Sequence, residues 1–274
     1  MTLEESEESL LKRAREEEQN FNWIQAASYY EKLVNYYLDK NFIEKAADKY
    51  KNLGYSYTRT ADTVESAEEY LKQINSAIKA YKEAKNLFKE IENKSGELEC
   101  EAEVIFLSGV LTTSDIERKD VYRQAHKLFN ESSKFYSMEE NEEGVARTLS
   151  KAANAIFLLT YCEIDQQEQK KLGQKGREMA GKGWEIAKRI GNIQILSESF
   201  NLEWLISINE LTNLNFKQNE YWKEYMENYL LKSKETIELI DKYDDPNAFF
   251  LVFSAAGSLN CGYGYQYVED EKDQ

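Results

Sequence analysis

Four groups of residues in this 274-residue chain have types and spacings that could carry chemistry. The first is Gly176-x-x-x-x-Gly181-Lys182-Gly183, one residue short of a phosphate-binding loop. Such a loop needs a Ser or Thr after the lysine to reach Mg²⁺, and a strand before it. Gly183 has no hydroxyl and the flanking pattern is helical, so these glycines read as a flexible helix start. The second group is Asp241, Asp244 and Asp245, which could gather a cation. They come just before Pro246 at the close of a helical stripe and read as a solvated acidic turn. The third is His126, the single histidine. It lies beside the apolar residues Ala125, Leu128 and Phe129 and reads as structural, because nucleophilic catalysis needs a base and a nucleophile brought together. The fourth is the basic run Lys170, Lys171, Lys175 and Arg177. It is either a solvated helix face or a patch for an acidic or phosphorylated ligand.

No acid, base, metal or nucleophile constellation converges, and the expectation is a protein that is not an enzyme and uses no cofactor or metal. Cys100, Cys162 and Cys261 are widely separated and include no CxxC pair, which argues against a disulfide framework or zinc site. They point to a reducing, cytoplasmic setting. The net charge of −15 would repel a nucleic acid duplex or an anionic membrane surface. It suits a solvated surface or a basic partner. The acidic N-terminus lacks the basic and apolar regions of a signal peptide. Residues 247–268 carry no charge, but Ser254, Gly257, Ser258, Asn260, Gly262 and Gln266 dilute the run. A buried helix is expected there rather than a membrane span.

The elements that would position these residues are helices. The chain has one proline and 12 glycines, too few for the many turns of a strand-rich fold. Trp23, Ala26, Ala27, Tyr30, Leu33, Val34 and Tyr37 recur at three and four residues, and so fall on one helical face. The stripe returns at Ile74 to Ile91, Val121 to Phe135, Trp184 to Ile190 and Tyr229 to Ile240. Polar breaks follow each stripe, at Asp39 to Asn41, Asn93 to Gly96, Glu139 to Gly144, Gly191-Asn192 and Asp244 to Asn247. Less regular connections fall midway, at Thr63 to Ser66, Thr112 to Asp120, Glu163 to Gln169 and Leu214 to Asn219. Each unit of about 50 residues is therefore two helices. The expectation is a single all-α domain over 1–274 with about five pairs, an unpaired C-terminal helix from Phe249 to Tyr267, and an acidic tail at 269–274. That last helix would either cap the array or meet a second copy as a homo-oligomer. Repetition at fixed spacing marks a solenoid, in which each pair completes its neighbour's core.

The second pair carries the most specific pattern. Tyr50-x-x-Leu53-Gly54-x-x-Tyr57 has the spacing of the tetratricopeptide signature, with Tyr in place of Trp. Ala77-x-x-x-Tyr81-x-x-Ala84 resembles that repeat's second helix, and Ala125-x-x-x-Phe129 and Ala180-x-x-x-Trp184 echo it. The chain thus resembles the TPR-like helical repeat superfamily, with units longer than the family's 34 residues. The stretch from Ala26 to Ala47 is also similar to the helix pairing of α-SNAP-type adaptors. The resemblance implies a right-handed superhelical array of antiparallel helix pairs, a TPR-like α-solenoid whose first helices line a concave groove. Carrying the register over puts Lys51, Tyr55 and Arg59 on that inner face, with Asn154 and Asn209 as approximate equivalents. Tyrosine, with 19 copies, is a favoured interface residue. The function implied is a non-catalytic scaffold or adaptor that binds a protein partner through a peptide or helix. The alternatives are a regulatory or sensor module for a small molecule or peptide signal, or an α-SNAP-like adaptor of a membrane-fusion machinery.

Overall fold

The computed structural model describes residues 6–213, 229 and 231–239. Among them every regular element is helical: α1 (Glu7–Gln19), α2 (Trp23–Asp39), α3 (Ile43–Ala61), α4 (Ala67–Glu90), α5 (Lys94–Leu111), α6 (Asp115–Met138), α7 (Glu142–Tyr161), α8 (Gln166–Ile190) and α9 (Ile193–Asn213), with a further helical stretch at 231–239. Each helix packs against the next in sequence, and α7 also meets α9. The expected all-α chain of consecutive helix pairs is what forms.

Two kinds of turn set the unit length. Leaving α2, α4, α6 and α8, the chain places one residue in the left-handed region: Asn41, Glu92, Glu140 and Gly191, with φ of 58°, 56°, 56° and 73°. The next amide then bonds back five residues, as in Asn93 to Phe88 O at 2.9 Å, Asn141 to Tyr136 O at 2.9 Å and Asn192 to Ala187 O at 3.0 Å. This closure satisfies carbonyls that the helix end would leave orphaned. The same asparagines accept from the amides of Gly96, Gly144 and Ile195 at 2.8, 2.8 and 3.0 Å. A single residue therefore ends one helix and caps the next.

Three of the turns inside pairs use ordinary N-caps, whereas the α1–α2 turn places Phe21 in the left-handed region at φ 61° and bonds Asn22 N back to Glu17 O at 2.9 Å. Ser66, Ser114 and Asp165 accept from the amides of Glu69, Glu117 and Gln167. Two connections are shorter than expected for this reason. The Thr112–Asp120 and Glu163–Gln169 breaks contract because the caps start α6 at Asp115 and α8 at Gln166.

Between helices the seams are built from small residues and rings. Gly54 of the signature approaches the ring of Tyr81 so closely that an added Cβ would stand 2.8 Å from it. Leu53, Ala77 and Ala84 are buried around this contact. The flexible helix start expected at Gly176 to Gly183 is not found. All three glycines lie in the interior of the 25-residue α8. A Cβ at Gly176 would meet Ile206 Cδ1 at 2.9 Å, and one at Gly183 would meet Ser199 Oγ at 2.9 Å. The glycines at 176 and 183 let α8 sit close to its neighbours, an advantage that offsets their weak helix propensity. Farther along, Tyr229 stacks on Phe200 and Trp204 with centroids at 4.7 and 4.9 Å. The Trp184 indole N–H donates to Thr236 at 3.0 Å, tying the stretch 231–239 to α8.

Candidate binding cleft

The helices α3, α5, α7 and α9 all contribute side chains to one cavity of about 560 Å³. Their contributions repeat at a separation of 48 residues: Lys51, Glu99 and Arg147 form one row. Tyr55, Glu103 and Lys151 form the next, one helical turn farther along each helix.

Glu99 is the centre of the first row, with only 2% of its surface exposed. Lys51 Nζ reaches one carboxylate oxygen at 2.6 Å and Arg147 Nε the other at 2.6 Å. The Tyr136 hydroxyl also donates to Glu99, at 2.6 Å. Burial by itself would raise this carboxyl's proton affinity, but the charges of Arg147 and Lys51 outweigh it and hold Glu99 well below the usual carboxylate range. In the second row Glu103 is 5% exposed and meets Lys151 at 3.1 Å. Here burial wins over the single cation, and the carboxyl is raised above its ordinary value.

At the far side, side chains of α9 reach α3. The Tyr55 hydroxyl donates to Glu198 at 2.9 Å and accepts from Gln194 at 2.7 Å, contacts that join residues 143 and 139 apart in sequence. Trp23 packs edge-on against Tyr55, with centroids 5.8 Å apart. Arg59 lies over the Trp23 ring at 5.5 Å and pairs with Asp62 at 2.9 Å. Of the three residues expected on the inner face from the signature register, Tyr55 and Arg59 meet through Trp23, and Lys51 turns to Glu99. Lys51 and Tyr55 line the cavity, while Arg59 stands beside it.

The lining is acidic. Eight carboxylates face four cations, and Lys51, Arg147 and Lys151 are each already committed to a carboxylate. Glu44 and Asp48, one turn apart on α3, are exposed at the mouth and form no ion pair among the described residues. Deeper in, Tyr81 lines the cavity while only 4% exposed. Its hydroxyl has no hydrogen-bond partner among the described residues. Burial, with Glu103 nearby, keeps that phenol strongly protonated.

The other expected site residues lie elsewhere. Asn154 is half-buried on α7, and Asn209 donates to Thr160 Oγ1 at 2.8 Å between α9 and α7; neither lines the cavity. Lys170, Lys171 and Lys175 are exposed on α8, with Lys171 at 3.4 Å from Glu168. Arg177 is half-buried on the same helix. Lys175 Nζ instead donates to His126 Nε2 at 2.8 Å, which also receives the Asn130 amide at 2.9 Å. His126 Nδ1 faces the Ala152 carbonyl at 3.3 Å. Burial and then the Lys175 charge lower this imidazole to about 4, so at neutral pH it is an uncharged strut between α6, α7 and α8. Cys100 is buried and its thiol is pushed well up by burial, which leaves it a poor nucleophile. Asp241, Asp244, Asp245, Cys261, the helix expected from Phe249 to Tyr267 and the tail at 269–274 lie outside the described residues. Among the described residues no group of three or more His, Cys, Asp or Glu is placed to hold a metal, and no helix is long and apolar enough to cross a membrane.

Four cleft residues escaped the sequence reading: Glu99, Glu103, Arg147 and Lys151. Glu- and Lys-rich helices are expected to be solvated faces laced with i,i+4 pairs. These four pair across helices instead, Glu99 with Lys51 and Arg147 and Glu103 with Lys151. The signal was present as the 48-residue period itself, which carries Lys51 and Tyr55 onto them. The same period does not carry Lys51, Tyr55 or Arg59 onto Asn154. No protein-family model matches the chain, and no curated protein matches it either.

Proposed function

We propose that this chain is a non-catalytic, cytoplasmic scaffold or adaptor, a right-handed TPR-like superhelix that binds a peptide or helix of a protein partner in its concave cleft. The supporting observation is that α3, α5, α7 and α9 pool their polar side chains into one open cavity. Those side chains are locked by cross-helix pairs such as Lys51–Glu99 and Lys151–Glu103. A wall fixed before binding loses little entropy when a partner docks, which is the condition for useful affinity from a modest contact area. Buried ion pairs contribute little net stability, so their concentration on the inner wall is better explained by recognition than by folding.

The test is selection of a random-peptide display library on the parent and on a variant carrying Lys51→Ala, Tyr55→Ala and Arg59→Ala. Circular dichroism and melting would establish that the variant is folded. Peptides recovered on the parent should fail on the variant, whereas undiminished binding would remove the cleft as the site. A second reading, a sensor module for a small molecule, is favoured by the cavity volume, which falls within the roughly 300–1,000 Å³ typical of ligand pockets. Stabilisation by a small ligand in a thermal-shift screen would select it.

A further inference from the structure

We infer that the cleft takes the lysine or arginine side chains of a basic peptide segment, with the cationic group passing Glu44 and Asp48 and reaching the Tyr81 hydroxyl. The inference rests on the peptide-binding reading above and names the chemistry of the peptide. Two independent features carry it.

The first is a charge imbalance within a cavity. The lining holds twice as many carboxylates as cations, and Lys51, Arg147 and Lys151 are already bound to Glu99 and Glu103. An anionic ligand finds one cation outside these pairs, Lys49, which lines the cavity beside Asp48, and must otherwise break a buried pair. A cationic ligand finds unpaired acceptors at the mouth, because Glu44 and Asp48 are exposed and make no ion pair among the described residues.

The second feature is the Tyr81 hydroxyl. It is a polar group on a residue only 4% exposed, it borders the cavity, and it has no partner among the described residues. The side chain is enclosed while its oxygen opens to the cavity, so the oxygen is available there to a ligand. A phenol oxygen accepts from an ammonium or guanidinium N–H, and Glu103 and Glu99 are its charged neighbours. The rings of Phe88, Tyr81 and Tyr136 border the same space. Phe88 and Tyr136 already have the Lys51 ammonium near them, at 5.7 and 5.9 Å from the ring centroids. A long flexible stem ending in a positive charge fits an acidic mouth above such a floor. A peptide supplies several such stems on one backbone.

Fluorescence anisotropy with fluorescein-labelled hexalysine tests this, run at about 0.15 M salt so that long-range attraction to the acidic chain is screened. Three variants are compared. Glu44→Gln with Asp48→Asn removes the mouth charges. Asp115→Asn with Asp120→Asn removes equal charge from the exposed start of α6, where those side chains are 82% and 72% exposed. Tyr81→Phe removes one hydroxyl and keeps the ring packed on Gly54. The mouth variant should weaken binding about tenfold or more, and Tyr81→Phe by about fivefold. The α6 control should change binding by less than about twofold.

Equal weakening by the two double variants, or full affinity in Tyr81→Phe, would overturn the inference by showing diffuse charge attraction. Competition by spermine as effective as by unlabelled hexalysine would overturn it in favour of a small-cation site. If hexalysine fails to bind while library peptides still depend on Lys51, Tyr55 and Arg59, the cationic class falls and the peptide-binding reading stands. If no peptide depends on those residues, the reading itself falls and takes the inference with it.

Discussion

Glu99 and Glu103 sit one turn apart on α5, equally enclosed, and hold their protons in opposite ways. Glu99 meets two cations from two different helices, Lys51 of α3 and Arg147 of α7, and stays ionised against its burial. Glu103 meets Lys151 alone among cations, and there burial prevails. Position on the helix and degree of burial are nearly the same. The difference is made by the neighbours, since two close opposite charges outweigh the desolvation that one does not. The first row is therefore a rigid cross-strut between three helix pairs. The second is a softer element whose charge state depends on what approaches it.

The two carboxylates also give opposite pH dependence. A group depressed in the folded state, like Glu99, contributes stability that is complete above its ordinary pKa and is lost as pH falls toward the folded value. A group raised in the folded state, like Glu103, is a burden at neutral pH that lifts as pH falls through its folded value.

The largest expected effect comes from making the first row resemble the second. Arg147→Met should destabilise the fold by about 3–5 kcal/mol at pH 7, because it leaves a buried carboxylate with one cation. The loss should shrink as pH is lowered toward 4, where the variant's Glu99 takes up a proton and the parent's does not. Urea unfolding across that range measures both, and a loss independent of pH would break the contrast. A smaller effect is expected from Glu103→Gln. It should remain within about 1 kcal/mol of the parent at pH 7. Its stability relative to the parent should rise between pH 4 and 7, since the parent alone must ionise or retain a proton there. A variant that lost ground over that interval would show Glu103 to be the better-stabilised charge. Smallest is the uncharged reference Ile156→Val, in a fully buried position between α7 and its neighbours. It should cost about 1 kcal/mol, equally at every pH. Without that flat baseline, the slopes of the other two could not be assigned to their carboxyls.

Much of the architecture was legible because it is local. The stripe from Trp23 to Tyr37 is buried as its three- and four-residue spacing requires. The breaks at Asn41, Asn93, Asn141 and Asn192 announced the turns that close four helices. The signature around Gly54 located a real close approach to Tyr81. Where the reading missed, a side chain's role depended on a distant partner. The spacing of the α8 glycines reads as a flexible start because the close contacts of Gly176 and Gly183, Ile206 and Ser199, lie on α9. Glu99 and Arg147 looked like solvent-facing charges because each partner lies 48 residues away. Asn154 and Asn209 were placed by an approximate register, and a register error of a few residues turns a helical side chain away from the inner face.

By itself the sequence determined the helices, their pairing and the length of the unit, because periodicity and capping act within a few residues of chain. Only the tertiary structure decided which charges are buried and whom they meet. Whether Glu99 keeps its charge, whether Tyr55 reaches Glu198, and whether the Tyr81 hydroxyl opens to the cavity all depend on how helices far apart in sequence are placed against one another. That placement is the sum of many seam contacts, and no short window of sequence contains it.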